Sequence, residues 1–173
     1  MNHLMKDVAI LVLDRHVTLS QHVKLIELPK QGNRVPVGWG RTIGGGNAAS
    51  ILQEAPLKIA DHQKCAAKNY FLQVHEESML CAGGEGKGGC QGDSGGPLAC
   101  QEGGKWILRG VVSWGHSFCN TGHYTVFARV SSLVNWIKNI NNVGNGNAGK
   151  IQLNDGIEQF SHDCEKLTAR TRS

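Results

Sequence analysis

An all-β fold is what this sequence predicts, and three observations carry that prediction. Glycine supplies 23 of the 173 residues, about twice its ordinary share. Helix-favouring runs are scarce, and short apolar stretches recur between turn signals at residues 8–13, 23–28, 51–59, 106–114 and 124–130. That spacing suits a barrel or sandwich of short strands. A chain of this length buries roughly 70% of its unfolded surface, enough for one compact domain with appendages.

Taken in order, residues 8–13 read Val-Ala-Ile-Leu-Val-Leu between Asp7 and Asp14. They predict a buried strand and are far too short to span a membrane. Ser131 and Ser132 stand where they can cap a helix, because Leu133, Trp136, Ile137 and Ile140 follow at helical spacing. Residues 141–150 are too polar and glycine-rich to hold a core and read as a linker. Residues 151–173 have room for a short helix around 157–167 and carry no assignable function. Six cysteines point to an oxidising, extracellular compartment. The opening residues lack the basic leader, apolar core and cleavage site of a secretory signal, so that signal is expected upstream of this sequence.

Several function classes are excluded. The net charge of +4 comes from scattered Lys and Arg, with no basic run interleaved with aromatics, so no nucleic-acid partner is expected. No membrane association is expected either. His75-Glu76-Glu77 does not continue into His-Glu-x-x-His, no Cys-x-x-Cys occurs, and Gly86-Lys87-Gly88 is not the Gly-Lys-Ser/Thr of a phosphate loop. Neither a metal nor another cofactor is expected.

The chemistry concentrates in residues 90–100, Cys-Gln-Gly-Asp-Ser-Gly-Gly-Pro-Leu-Ala-Cys. A serine hydroxyl becomes a useful nucleophile only beside a base and beside donors for the oxyanion it creates. Glycines at 92, 95 and 96 let the backbone around Ser94 turn sharply and present amides to a substrate carbonyl. A bare Gly-x-Ser-x-Gly is as readily a flexible loop, but Asp93, Pro97 and the flanking cysteines make that reading poor. The nucleophile elbow of α/β-hydrolases requires a helix after the serine, and Pro97-Leu98-Ala99-Cys100 starts none.

Gly92-Asp93-Ser94-Gly95-Gly96-Pro97 resembles the signature of the chymotrypsin/trypsin family of serine proteases. The resemblance extends in order through Gly38-Trp39-Gly40, Met79-Leu80-Cys81-Ala82-Gly83, Gly110-Val111-Val112-Ser113-Trp114-Gly115 and Val134-Asn135-Trp136-Ile137, covering about residues 6–140. It implies two antiparallel β-barrels with the catalytic groups in the cleft between them. Residues 1–30 then look like a remnant of the first barrel. Residues 31–140 look like the second barrel with its C-terminal helix, and residues 141–173 are a polar linker and unassigned tail. The stretch from Leu28-Pro29 to Gly38 is shorter than the family usually has, so a malformed strand is expected there.

The resemblance also implies roles. Lys6-Asp7-Val8-Ala9-Ile10-Leu11 is similar to the family's aspartate motif, making Asp7 the carboxylate that orients a histidine, which in turn activates Ser94. On its own Asp7 reads as a solvated acid at a strand start. The histidine belongs upstream of Asp7 in an Ala-Ala-His-Cys-like segment, and none of the eight histidines has that context. Loss of that residue costs such enzymes about 10⁶ in kcat, so this chain is expected to be truncated and nearly inert alone. Asp93 would pair with the N-terminus released by activation cleavage, and that pair sets the amides of Gly92 and Ser94 as the oxyanion hole. Without it, a zymogen-like loop is expected; the alternative is that Asp93 caps its turn.

By position, Gly88 is the floor of the primary pocket, with Gly89, Ser113, Trp114, Gly115 and Thr125 as its walls. A glycine floor disfavours Arg or Lys substrates. Thr125 narrows one side, which fits small-to-medium aliphatic side chains as in elastases, with aromatic ones as in chymotrypsin the close second. Ser113-Trp114-Gly115 would pair with substrate backbone as an added strand. Two disulfides are implied, Cys65 with Cys81 and Cys90 with Cys119. The family partner of Cys100 is missing ahead of Gly38, so Cys100 either remains a thiol or reaches Cys164. The implied function is a secreted serine endopeptidase cleaving after uncharged apolar residues, with protein or peptide substrates and protein protease inhibitors as partners. The rival is a non-catalytic homologue that keeps the barrel for binding.

Overall fold

The computed structural model describes residues 5–29 and 35–143. Six strands form one antiparallel sheet in the order β2-β1-β4-β5-β6-β3. They are β1 (Val35–Gly38), β2 (Gln53–Glu54), β3 (Met79–Gly83), β4 (Pro97–Glu102), β5 (Lys105–Trp114) and β6 (Tyr124–Arg129). Two helices accompany them, α1 (His62–Lys68) and α2 (Val134–Val143).

Local sequence explains the joints. Gly103 and Gly104 connect β4 to β5 with φ of 55° and 79°, the paired positive values that a two-residue hairpin turn needs and that glycine accepts without penalty. Across this hairpin Arg109 is buried and holds both oxygens of Glu102 at 2.6 Å. Register shifts between Leu98 and Ala99 and between Val112 and Trp114 bend the sheet, as β-bulges do. The core lies on one face, where Leu57, Leu80, Ala82, Leu98, Val112 and Phe127 pack together. A second cluster of Cys65, Val74, Met79, Cys81 and Val126 ties α1 to β3 and β6. Burial pushes the Arg129 guanidinium below its ordinary range, an effect Glu76 partly offsets; Arg129 donates twice to the Met79 carbonyl.

Several expectations need correction. Residues 8–13 form no strand, and Leu11 and Val12 are 85% and 77% exposed. Among the described residues no strand pairs with them, and of their side chains only Val8 and Ile10 are half-buried. Residues 23–28 contribute a single parallel bridge, Glu27 to Ile107, and residues 51–59 give only the two-residue β2 and a bridge from Ile59 to Ala82. Ser131 and Ser132 do not cap α2. They belong to a 3-10 turn, Val130–Ser132, and the Ser132 hydroxyl donates back to the Arg129 carbonyl. Helix α1 was not expected. Its signal is Asp61, whose carboxylate accepts from the Lys64 amide at 3.1 Å in the usual N-cap geometry. The linker expected from residue 141 starts later than that, since residues 141–143 complete α2; residues 144–173, with Cys164, lie outside the described residues, as do residues 30–34. No helix among the described residues is long and apolar enough to cross a membrane.

Candidate active site

The serine loop is built on the start of β4 and the far end of β5. Cys90 to Asp93 form a four-residue turn closed by the Asp93 amide donating to the Cys90 carbonyl at 3.1 Å. Gly92, third in that turn, has φ +97°, the conformation a type II turn requires there. The loop is then stitched to β5, because the Gly95 amide donates to the Val112 carbonyl and the Val112 amide to the Gly96 carbonyl, each at 2.9 Å. Ser94 stands exposed between these anchors. Neither the Gly92 nor the Ser94 amide donates to a backbone acceptor among the described residues, which leaves both as open donors.

Asp93 turns inward and is half-buried. Its carboxylate accepts from the Gly40 amide at 2.7 Å and from the Cys90 amide at 2.8 Å. The glycines of Gly38-Trp39-Gly40 make room for it, since a Cβ on either would fall 2.2 to 2.3 Å from Asp93 atoms. The carboxylate is therefore satisfied by two amides within the described residues, in keeping with the turn-capping alternative rather than with an unpartnered acid.

Asp7 reaches the same place from a distant part of the chain. The Ser113 hydroxyl donates to Asp7 Oδ2 at 2.7 Å across a sequence separation of 106. Ser113 follows Val112 on β5, so Asp7 and the Ser94 loop are held at adjoining positions of one strand. The Ser113 side chain thus faces Asp7, and the Trp114 ring packs edge-on to Phe71 at 5.8 Å. No described histidine hydrogen-bonds to Ser94 or Asp7; His116 and His123 bond to backbone, and His22 to Gln21.

Several of the residues expected to form the pocket converge on Thr125. The Gly89 amide donates to Thr125 Oγ1 at 2.7 Å. A Cβ on Gly88 would meet that oxygen at 3.1 Å, and one on Gly115 would lie 3.9 Å from the Thr125 Cα. Cys65–Cys81 and Cys90–Cys119 are disulfide-bonded, and Cys100 is buried on β4. The second of these bonds joins the serine loop to the segment after β5. Gln91 donates from its amide to the Ser117 carbonyl beside it.

Sequence reasoning missed four contributors. Asn69 is fully buried and pairs both ways with the Tyr124 backbone, donating to its carbonyl at 2.8 Å and accepting from its amide at 3.1 Å. Its place at the end of α1 was the available signal. Phe71 with His116 and His123 forms a ring cluster beside Trp114, which no sequence pattern announces. Among the described residues no group of three His, Cys, Asp or Glu side chains is placed to hold a metal ion.

Comparison with known proteins gives a consistent result. Residues 1–137 match the family model described as Trypsin. Chymotrypsin-like elastase family member 1 of Canis lupus familiaris is 43% identical over 144 residues, which is 78% of this chain and 56% of that protein. The protein of the same name from Homo sapiens is 42% identical over 144 residues, with the same shares. Chymotrypsin-like elastase family member 3B of Homo sapiens is 40% identical over 142 residues, 76% of this chain and 53% of that protein. The chain spans about half the length of the curated relatives it matches.

Proposed function

The chain belongs to the chymotrypsin/trypsin family of serine proteases, and on that premise we propose that it carries the nucleophile, the oxyanion donors and the primary pocket of a serine endopeptidase. The observation that carries this reading is the meeting of Asp7 and the Ser94 loop at Ser113 and Val112 of β5. In the proposed reaction Ser94 Oγ attacks the scissile carbonyl and its proton passes to a histidine oriented by Asp7. The negative charge formed on the carbonyl oxygen is taken by the Gly92 and Ser94 amides. The histidine then gives that proton to the leaving amine as the C–N bond breaks, and water deprotonated by the same histidine hydrolyses the acyl-serine to regenerate Ser94. The histidine in this reading comes from polypeptide beyond the described residues, because no described imidazole hydrogen-bonds to Ser94 or Asp7.

Substrate enters as an added strand. β4 pairs with β5 from Glu102–Lys105 to Pro97–Val111, so the β5 edge beyond Val112 is left open for a peptide running antiparallel to it. Such a peptide continues the line of β4 and brings its C-terminal side towards Ser94. Gly88, Gly89, Gly115 and Thr125 then receive the side chain preceding the cut. With Gly88 rather than an aspartate at its floor and Thr125 narrowing one side, the pocket fits uncharged aliphatic groups, with aromatic ones the alternative. The two disulfides support an oxidising, extracellular setting.

The test is hydrolysis of alanine-, leucine- and phenylalanine-type peptides by the purified chain, alone and with a histidine-bearing N-terminal half of an elastase relative. Turnover is expected only in the mixture and is expected to vanish in Ser94→Ala. Turnover by the chain alone would overturn the external base. The absence of described imidazoles at Ser94 favours a second reading, a binding homologue without catalysis, and peptide binding with no turnover in either arm would establish it.

A further inference from the structure

The loop that follows Ser113-Trp114-Gly115 carries two histidines that the proposed chemistry does not use. The rings of His116 and His123 stack with centroids 4.5 Å apart and planes 23° from parallel. Phe71 presents an edge to both, at 5.8 and 5.6 Å, and also contacts Trp114. Phe118 closes the other side of His116 at 6.1 Å while remaining 78% exposed. The cluster therefore adjoins the open edge of β5 on the side away from Ser94.

Each ring has one nitrogen committed and one left over. His123 donates from Nδ1 to the Lys68 carbonyl at 2.7 Å. His116 accepts at Nδ1 from the Phe118 amide at 3.3 Å. Both Nε2 atoms remain open, and because His116 accepts at Nδ1 its neutral ring carries the proton on Nε2, a donor available to an anionic group beside the stack. The surrounding elements supply none. From α1 comes Lys68, whose ammonium donates to the Gly122 carbonyl at 3.1 Å; from the following loop comes Tyr70, against Phe71; and from β6 comes Tyr124. No carboxylate among the described residues forms an ion pair with either ring.

We propose that the His116–His123 stack is a specificity site for an acidic side chain of the bound peptide, lying N-terminal to the scissile bond. This rests on the added-strand reading of Ser113-Trp114-Gly115. A peptide antiparallel to β5 with its C-terminal side at Ser94 sends its N-terminal side past Gly115 to His116. A glutamate two or three residues before the cut meets the open imidazole nitrogens there.

The test uses two end-blocked fluorescent peptides identical except for Glu or Gln three residues before the cut, titrated into the full chain. The Glu peptide is expected to bind about tenfold tighter than the Gln peptide, the scale of a charge-assisted hydrogen bond. His116→Phe, which keeps a ring in the stack, and separately His123→Gln are each expected to reduce that ratio. Equal binding of both peptides would overturn the acidic site while leaving the added-strand groove standing. Failure of both peptides to bind would overturn the groove and the acidic site with it.

Discussion

Residues 8–13, Val-Ala-Ile-Leu-Val-Leu, are more apolar than β3, Met-Leu-Cys-Ala-Gly, yet the two end in opposite environments. Every residue of β3 is buried, whereas Leu11, Val12 and Leu13 are 85%, 77% and 60% exposed. β3 has β6 paired along its full length and the Cys65–Cys81 bond behind it. Residues 5–29 have point attachments: the Ser113–Asp7 bond, and Glu27 inserted between Trp106 and Leu108 of β5. Apolarity makes a strand only where an edge and a facing layer exist to receive it. The proposed catalytic groups divide along the same line, with Ser94 on the part that supports itself and Asp7 on the part that is tethered.

The contrast can be broken most forcefully in the core. Phe127→Ala removes one of the largest fully buried side chains and is expected to cost about 3 to 5 kcal/mol in urea unfolding. Leu11→Ala should move the midpoint by no more than about 0.5 kcal/mol. Similar costs for the two would show that residues 8–13 are packed after all. Next in size, replacing Cys65 and Cys81 together by alanine should cost roughly 3 kcal/mol on the loop-entropy account. Asp93→Ala orphans the amides of Gly40 and Cys90 and should cost about 1 to 2 kcal/mol. The smallest effect is local. Ser113→Ala should speed amide exchange over residues 5–12 and leave β3 to β6 protected, and uniform change in both would mean the tether is part of one cooperative unit.

Much of the site was legible because its geometry depends on residues with few substitutes. Gly92 supplies a positive φ, Gly38 and Gly40 make room for Asp93, and the cysteines close covalent loops, so the motif survives as a string of letters. The sheet was legible where strands pair at long range along their length, as in residues 106–114 and 124–130. Residues 8–13 misled because their pattern describes a strand without saying whether a partner is present. The start of α2 misled because Ser132 satisfies the Arg129 carbonyl instead of a helix amide. Helix α1 escaped notice because seven residues are too few for a periodic pattern, leaving only the Asp61 cap. The Phe71, His116 and His123 cluster was invisible because it joins the end of α1 to the loop after β5 through contacts that no local spacing encodes.

The central claim is that Ser94 is built and positioned here while its base is supplied from elsewhere. The direct measurement is mass-spectrometric mapping of fluorophosphonate adducts on the intact chain, alone and mixed with a histidine-bearing N-terminal half. An adduct confined to Ser94 and formed only in the mixture is the predicted result. Rapid modification of Ser94 in the chain alone, or an adduct on another serine in the mixture, would contradict it.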